Sequence, residues 1–299
     1  MWRWLVVVFW LMASPSFGQD ASRIYTDEDA GSVKTAVLVQ ADKRVRQFFA
    51  QTFDQRIESP IILVGTTGPD QLNDHLMIAL TELGRRPRAV TIDTAKLCKN
   101  KPIGAAANRS YIVMCWLKPK AYNDKWIASI SRRLAPILAH EFTHQLQYHL
   151  AGDDPPQRLK GTDELLLGPS WLVEGSAEVF ERLYGVQNQG VGAGADAGQT
   201  LFNLQIPARR SRLTLAQLTV AGSTKGSGAY GTSRFAAFLL AERSGAGALL
   251  KYFEVLGEVK DRDLAFSQVF GLSLEKFEAD FERVRRNFSA ATQYAAGGT

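Results

Sequence analysis

The chain has 299 residues, 45% of them hydrophobic, and 35 Lys and Arg against 30 Asp and Glu give a formal net charge of +5. That length supports a substantial core, and the mild charge excludes binding to nucleic acid by charge alone. Two cysteines exclude a disulfide-dense scaffold.

At the N-terminus Arg3 precedes an apolar run from Trp4 to Met12, followed by Ser14, Pro15, Ser16 and Gly18. This pattern predicts a secretory signal peptide over 1–18. The run is far shorter than the ~20 residues that span a bilayer as a helix, so an uncleaved anchor is the weaker reading. No cysteine follows it to carry a lipoprotein anchor. The expected mature protein is a bacterial export product, periplasmic or secreted, with no stable membrane insertion.

Apolar positions Val33, Val37, Ala41, Val45, Phe48 and Phe49 predict an amphipathic helix over 33–53. Pro60 and the run Ile61 to Val64 predict a strand, and Pro69 opens a second helix that Gly84 closes. Ala89 to Ile92 and Ser110 to Leu117 are further strand candidates. Cys98 and Cys115 either pair, as an oxidising compartment allows, or remain two buried thiols. The short basic clusters Lys99 with Lys101, and Arg283 with Arg285 and Arg286, have no interleaved aromatics and read as solvated faces, not as a nucleic-acid site.

Beyond Tyr122 the periodicity becomes helical: about 126–150, 171–184, 231–243, 247–256, 263–270 and 273–288. Strands first and helices later predict an α+β fold. We divide it into an N-terminal α/β part over 19–150, a helical part over 151–290 and a tail over 291–299. The glycine-rich stretch 185–198 predicts a mobile loop. Its Gly190, Gly192 and Gly194 lack the preceding strand that a dinucleotide site requires.

His140-Glu141-Phe142-Thr143-His144 has the zinc-site pattern HExxH. Residues one helical turn apart share a face, so both imidazoles can meet one ion while Glu141 points beside it as general base. Leu134, Ile137, Leu138, Phe142 and Leu146 bury this helix, and unpaired imidazoles there would be costly. Pro136 lies either in the first turn or at a kink. A hydrolytic zinc site needs a third ligand. His149 is a poor one: it points to the far side of the helix, and a metzincin would have glycine at Gln147 and histidine at Leu150. His75 has no ligand-like neighbours.

The better ligand stands in Pro169-Ser170-Trp171-Leu172-Val173-Glu174-Gly175-Ser176-Ala177-Glu178. Trp171 and Leu172 anchor this helix, while Gly175 and Ala177 allow close approach to the first zinc helix. Glu174 is the expected ligand, and Glu178, on the same face, the expected acceptor for the outer N–H of a ligand histidine. Glu181 reads as a solvated carboxylate.

HEFTH followed by WLVEGSAE resembles the peptidase MA-like gluzincins, in which HExxH precedes a WLxEGxAE helix. The resemblance runs from Leu134 to Val284, through Tyr230, Arg234, Phe235 and Leu239 and the segment Val269 to Phe277. It implies a zincin-like fold, one Zn2+ per chain and a peptide or protein substrate. It also implies that Tyr230 steadies the oxyanion, a role that competes with a plain core aromatic. By the same resemblance, the strand Ser110 to Leu117 is expected to offer its edge to an extended peptide. No GxMEN-like segment precedes His140, which favours an endopeptidase over an aminopeptidase. Two rival readings are a non-catalytic zinc-binding scaffold of the cell envelope and a zinc hydrolase of a non-peptide bond. No feature specifies an oligomeric state.

Overall fold

The computed structural model describes residues 22–27, 31–57, 61–82, 84, 93–99, 102–109, 111–152, 167–190, 197–220, 224 and 226–298. The leader expected at 1–18 and the strand expected at 89–92 lie outside them.

The periodic run near the N-terminus forms α1 (Gly31–Phe53), which buries Val37, Leu38, Ala41, Val45, Phe48 and Phe49. Next comes β2 (Ile62–Thr66), buried along its whole length, as expected of a parallel strand covered on both faces. Pro69 starts α2 (Pro69–Glu82), with Asp70 in its first turn; Gly84 lies beyond its end at φ 65°. The predicted strand at 110–117 is β4 (Tyr111–Trp116).

Two strands were not anticipated: β1 (Arg23–Thr26) and β3 (Ile103–Asn108). Strand β3 reads Ile-Gly-Ala-Ala-Ala-Asn, a composition with little strand propensity. Its conformation comes from tertiary pairing instead. The sheet order is β1-β2-β4-β3, with β1/β2 and β2/β4 parallel and β3 antiparallel to β4. This corrects one expectation. The strand at 110–117 is paired on both sides; among the described residues the edge strands are β1 and β3, and β3 is the one that lies against α4.

One sheet face packs Leu63, Ile112, Met114 and Trp116 into the main core with α1 and α4 (Asp124–Ala151). The other packs Ile62, Val64 and Val113 against Leu72 and Leu76 of α2. On that side α3 (Thr94–Cys98) is joined to β4 by a Cys98–Cys115 disulfide, with Cα atoms 5.2 Å apart and a sequence separation of 17. A bridge closing a loop of this length stabilises by about 3 kcal/mol. Urea unfolding in the presence of reductant should therefore move to lower denaturant, with the extrapolated unfolding free energy reduced by about 3 kcal/mol; superimposable curves would show that the bridge adds nothing.

Helix α4 is capped by the Asn123 side chain, which accepts from the Trp126 N–H, and ends at Gly152 in the left-handed region. Pro136 lies in its interior, not in the first turn. The helices that follow are α5 (Ser170–Gln189), α6 (Ala197–Arg210), α7 (Ser227–Ser244), α8 (Gly247–Val259), α9 (Arg262–Phe270), α10 (Leu274–Val284) and α11 (Phe288–Ala295). The glycine-rich stretch is thus helical at both ends: α5 continues through the buried Gly185 to Gln189, and α6 begins at Ala197. Residues 191–196 lie outside the described set.

The single helix expected at 273–288 is divided, because Asn287 caps a new helix by accepting the Ala290 N–H. Just before it, the buried Arg285 donates to the carbonyls of Ala208 and Leu213 and pairs with Glu282 at 2.8 Å. Residues 291–299 are helical as far as Ala295, with Ala291 and Tyr294 buried. One hydrophobic cluster runs from Val37 to Tyr294, across the division expected at residue 150. The fold is α+β, and among the described residues no helix is long and apolar enough to cross a membrane.

Candidate metal centre

The buried face of α4 brings His140, Glu141 and His144 into the interior beside α5. The start of α5 is fixed from the C-terminal helices. Trp171 stacks on Phe277 with ring centroids 5.4 Å apart, and its indole N–H donates to Glu278 at 3.1 Å. Partners along α4 and α5 run in opposite order: Gln147 with Val173, His144 with Glu174, His140 with Glu181. The two helices are therefore antiparallel.

Glu174 meets both histidines. Its Oε2 lies 3.8 Å from His140 Nε2 and 3.8 Å from His144 Nε2. Ligand atoms at ~2.0–2.1 Å from a tetrahedral zinc ion stand about 3.4 Å from one another, so this gap is close to the size of the ion. Two imidazoles and a carboxylate are also a donor set that zinc takes.

Burial pulls His140 down, but the carboxylates of Glu174 and Glu181 and the charge of Glu141 outweigh it and raise the imidazole well above its usual range. For His144, burial dominates and lowers it, with Glu174 opposing. Burial pushes Glu174 up, and the two histidines bring it below the ordinary carboxylate range. The centre is therefore electrostatically arranged for a cation: an ionised carboxylate stands between two imidazoles.

Glu141 is only 6% exposed. Burial pushes its carboxyl up to about 7; Glu174 and Glu181 add to this, while His140 and an N–H donated by Ala107 oppose it. Ala107 belongs to β3, and its N–H points away from β4 to reach Glu141. By strand alternation Ala105 presents its backbone groups on that same edge. The β3–β4 turn is pinned to α4 by the Gln145 side chain, which donates to the carbonyls of Asn108 and, at 3.3 Å, of Tyr111.

Two expectations about α5 need correction. Gly175 allows close approach to α7, not to α4: a Cβ there would strike the Ser233 carbonyl oxygen and the Ala237 side chain. This contact brings Tyr230 and Arg234 of α7 to the site. The second correction concerns the carboxylate on the outer nitrogen of a ligand histidine. Glu181 Oε2 lies 3.3 Å from His140 Nδ1, whereas Glu178 is paired with Arg234 at 3.3 Å. Helical geometry explains the exchange: seven residues return to within about 20° of the starting direction, four only to within about 40°. Glu181 therefore aligns better with Glu174 than Glu178 does. The seven-residue spacing aligns Glu181 with Glu174, and the docking of α7, which pairs Arg234 with Glu178, decides which carboxylate meets His140.

Glu178 does stay close, forming with His140 and Glu181 a second group of potential ligand atoms within 4.8 Å of one another. Burial raises its carboxyl, with Glu181 and Glu174 adding to the effect and His140 and Arg234 opposing it. Tyr230 is 36% exposed, and its hydroxyl is raised by burial and by Glu174, Glu141 and Glu178. It lies within the field of the same carboxylates. His149 is exposed in the last turn of α4, and neither it nor His75 joins either group of potential ligand atoms. Gln147, noticed in the sequence only as a departure from the metzincin pattern, is fully buried beside His144.

Comparison with known proteins finds no family model that matches this chain and no match among the curated proteins.

Proposed function

We propose that the chain is an exported zinc metallopeptidase of gluzincin type and zincin-like fold, with His140, His144 and Glu174 holding the metal. The observation that carries this reading is the meeting of both Nε2 atoms on one Glu174 oxygen at 3.8 Å, with the buried Glu141 next along α4 and against the sheet edge. A bound zinc ion supplies Lewis-acid polarisation of a carbonyl and acidifies water.

The chain's own groups supply the rest. An extended peptide pairs with the free edge of β3, where backbone groups of Ala105 recognise main chain in any sequence. That places a scissile bond beside the carboxylate of Glu141. Glu141, buried next to the proposed ligand His140, takes a proton from attacking water and returns it to the leaving amine. Tyr230 directs its hydroxyl to the developing oxyanion and stays protonated through the working range, since its pKa is raised. Glu181 holds His140 from behind, and Arg234 neutralises Glu178. The disulfide supports export to an oxidising compartment.

The test is cleavage of a peptide library by zinc-loaded protein, by chelator-treated protein and by chelator-treated protein resupplied with zinc. Cleavage should appear, vanish and return. Stoichiometric zinc without any cleavage would favour the scaffold reading, and cleavage indifferent to the chelator would refute a metal mechanism.

A further inference from the structure

Gln147 bridges two elements of the proposed site. Its Oε1 lies 2.9 Å from His144 Nδ1, and its Nε2 donates to the Val173 carbonyl at 2.8 Å, immediately before Glu174 in α5. The side chain is fully buried, so water cannot substitute for either partner.

The direction of the chain of hydrogen bonds follows from one fixed end. A main-chain carbonyl only accepts, so the amide nitrogen of Gln147 must face Val173. Its oxygen then faces His144, and Nδ1 must carry the proton. Turning the amide over would set two oxygens against each other in a dry interior, which is costly. With Nδ1 protonated, the neutral ring leaves Nε2 bare, and Nε2 is the atom facing Glu174.

We propose that Gln147 is a positioning residue that sets the tautomer of His144 and ties that histidine to the backbone carrying Glu174, so that both present ligand atoms to the same ion. The inference rests on the metal-site reading above. The two histidines are held differently: His140 Nδ1 has a 3.3 Å ion-pair contact with the Glu181 carboxylate and, among the described residues, no aligned hydrogen bond, whereas His144 is held by a neutral amide whose far end is anchored in the partner helix. A neutral acceptor orients the ring without adding a further negative charge to a centre already holding Glu141, Glu174, Glu178 and Glu181.

The experiment reads the ring tautomer of His144 by long-range proton–nitrogen correlation NMR on metal-free protein, and zinc affinity by chelator competition. Wild type should show the Nδ1-protonated form. Gln147→Leu should lose that preference and bind zinc about 10–100-fold more weakly. Gln147→Glu keeps an acceptor for His144 while giving up the bond to Val173, so it should keep the tautomer and recover only part of the affinity that Gln147→Leu loses. An Nε2-protonated His144 in wild type would overturn the inference whatever the variants do. So would equal losses of affinity in both variants with the tautomer unchanged, since Gln147 would then only brace the helix pair. Wild type that takes up no zinc would defeat the metallopeptidase reading, and the tautomer would still decide the role of Gln147.

Discussion

Replacing Glu174 with alanine is expected to weaken zinc binding by more than about 100-fold, beyond the ~10–100-fold that loss of an outer-shell partner brings. The direction follows from geometry, since among the described residues Glu174 is the one carboxylate that reaches Nε2 of both histidines. Glu181→Gln is the internal control. It removes the charge behind His140 Nδ1 and leaves all three proposed ligands, so its loss should stay within about 100-fold. Chelator competition on both variants measures the difference. If Glu181→Gln proves the more damaging, the ion belongs to the neighbouring group of His140, Glu178 and Glu181.

Glu141→Gln should have two effects of opposite sign. Cleavage should fall by about a hundred- to ten-thousand-fold, the usual contribution of a general base, while zinc is retained. The metal-free protein should become more stable at high pH. In the folded chain the Glu141 carboxyl sits at about 7 against an ordinary value of 4.5. A raised folded value gives stability that is fully present below 4.5 and is lost as pH climbs through 7. The whole gap corresponds to about 3 kcal/mol. The substituted amide can still accept the Ala107 N–H, so metal-free Glu141→Gln should outlast wild type at pH ~8 by up to about 3 kcal/mol and match it near pH ~4. Denaturant titrations at the two values check this. A variant no more stable at the higher pH would show that Glu141 carries no burial penalty.

The ligand-bearing elements were legible because chemistry and periodicity coincide there. His140 and His144 are one turn apart on a helix whose apolar flank demands burial, and Trp171 and Leu172 mark the next helix as core. The long β2 and β4 runs announced themselves by continuous apolar residues. Strand β3 did not, because Gly104, Ala105, Ala106 and Ala107 take their conformation from pairing with Cys115, Met114, Val113 and Ile112. With β3 unread, nothing in the sequence opposed the edge that the family resemblance gave to the strand at 110–117.

On α5 the sequence showed three glutamates and no way to rank exposure among them. The docking of α7, admitted by Gly175 against the Ser233 carbonyl, brings Arg234 to Glu178 and leaves Glu181 to His140. Such exchanges depend on which helix arrives from elsewhere in the chain, and local spacing cannot encode that. Gln147 is a similar case: an amide on a buried helix gains a role only when the Val173 carbonyl is known to be its other partner.

Diffraction from crystals of zinc-loaded protein on both sides of the zinc absorption edge locates the ion without reference to activity. One anomalous peak is expected, ~2.0–2.2 Å from His140 Nε2, His144 Nε2 and a Glu174 oxygen. A peak seated instead among His140, Glu178 and Glu181, or no peak between the two histidines and Glu174 at full zinc loading, would contradict the assignment of the centre.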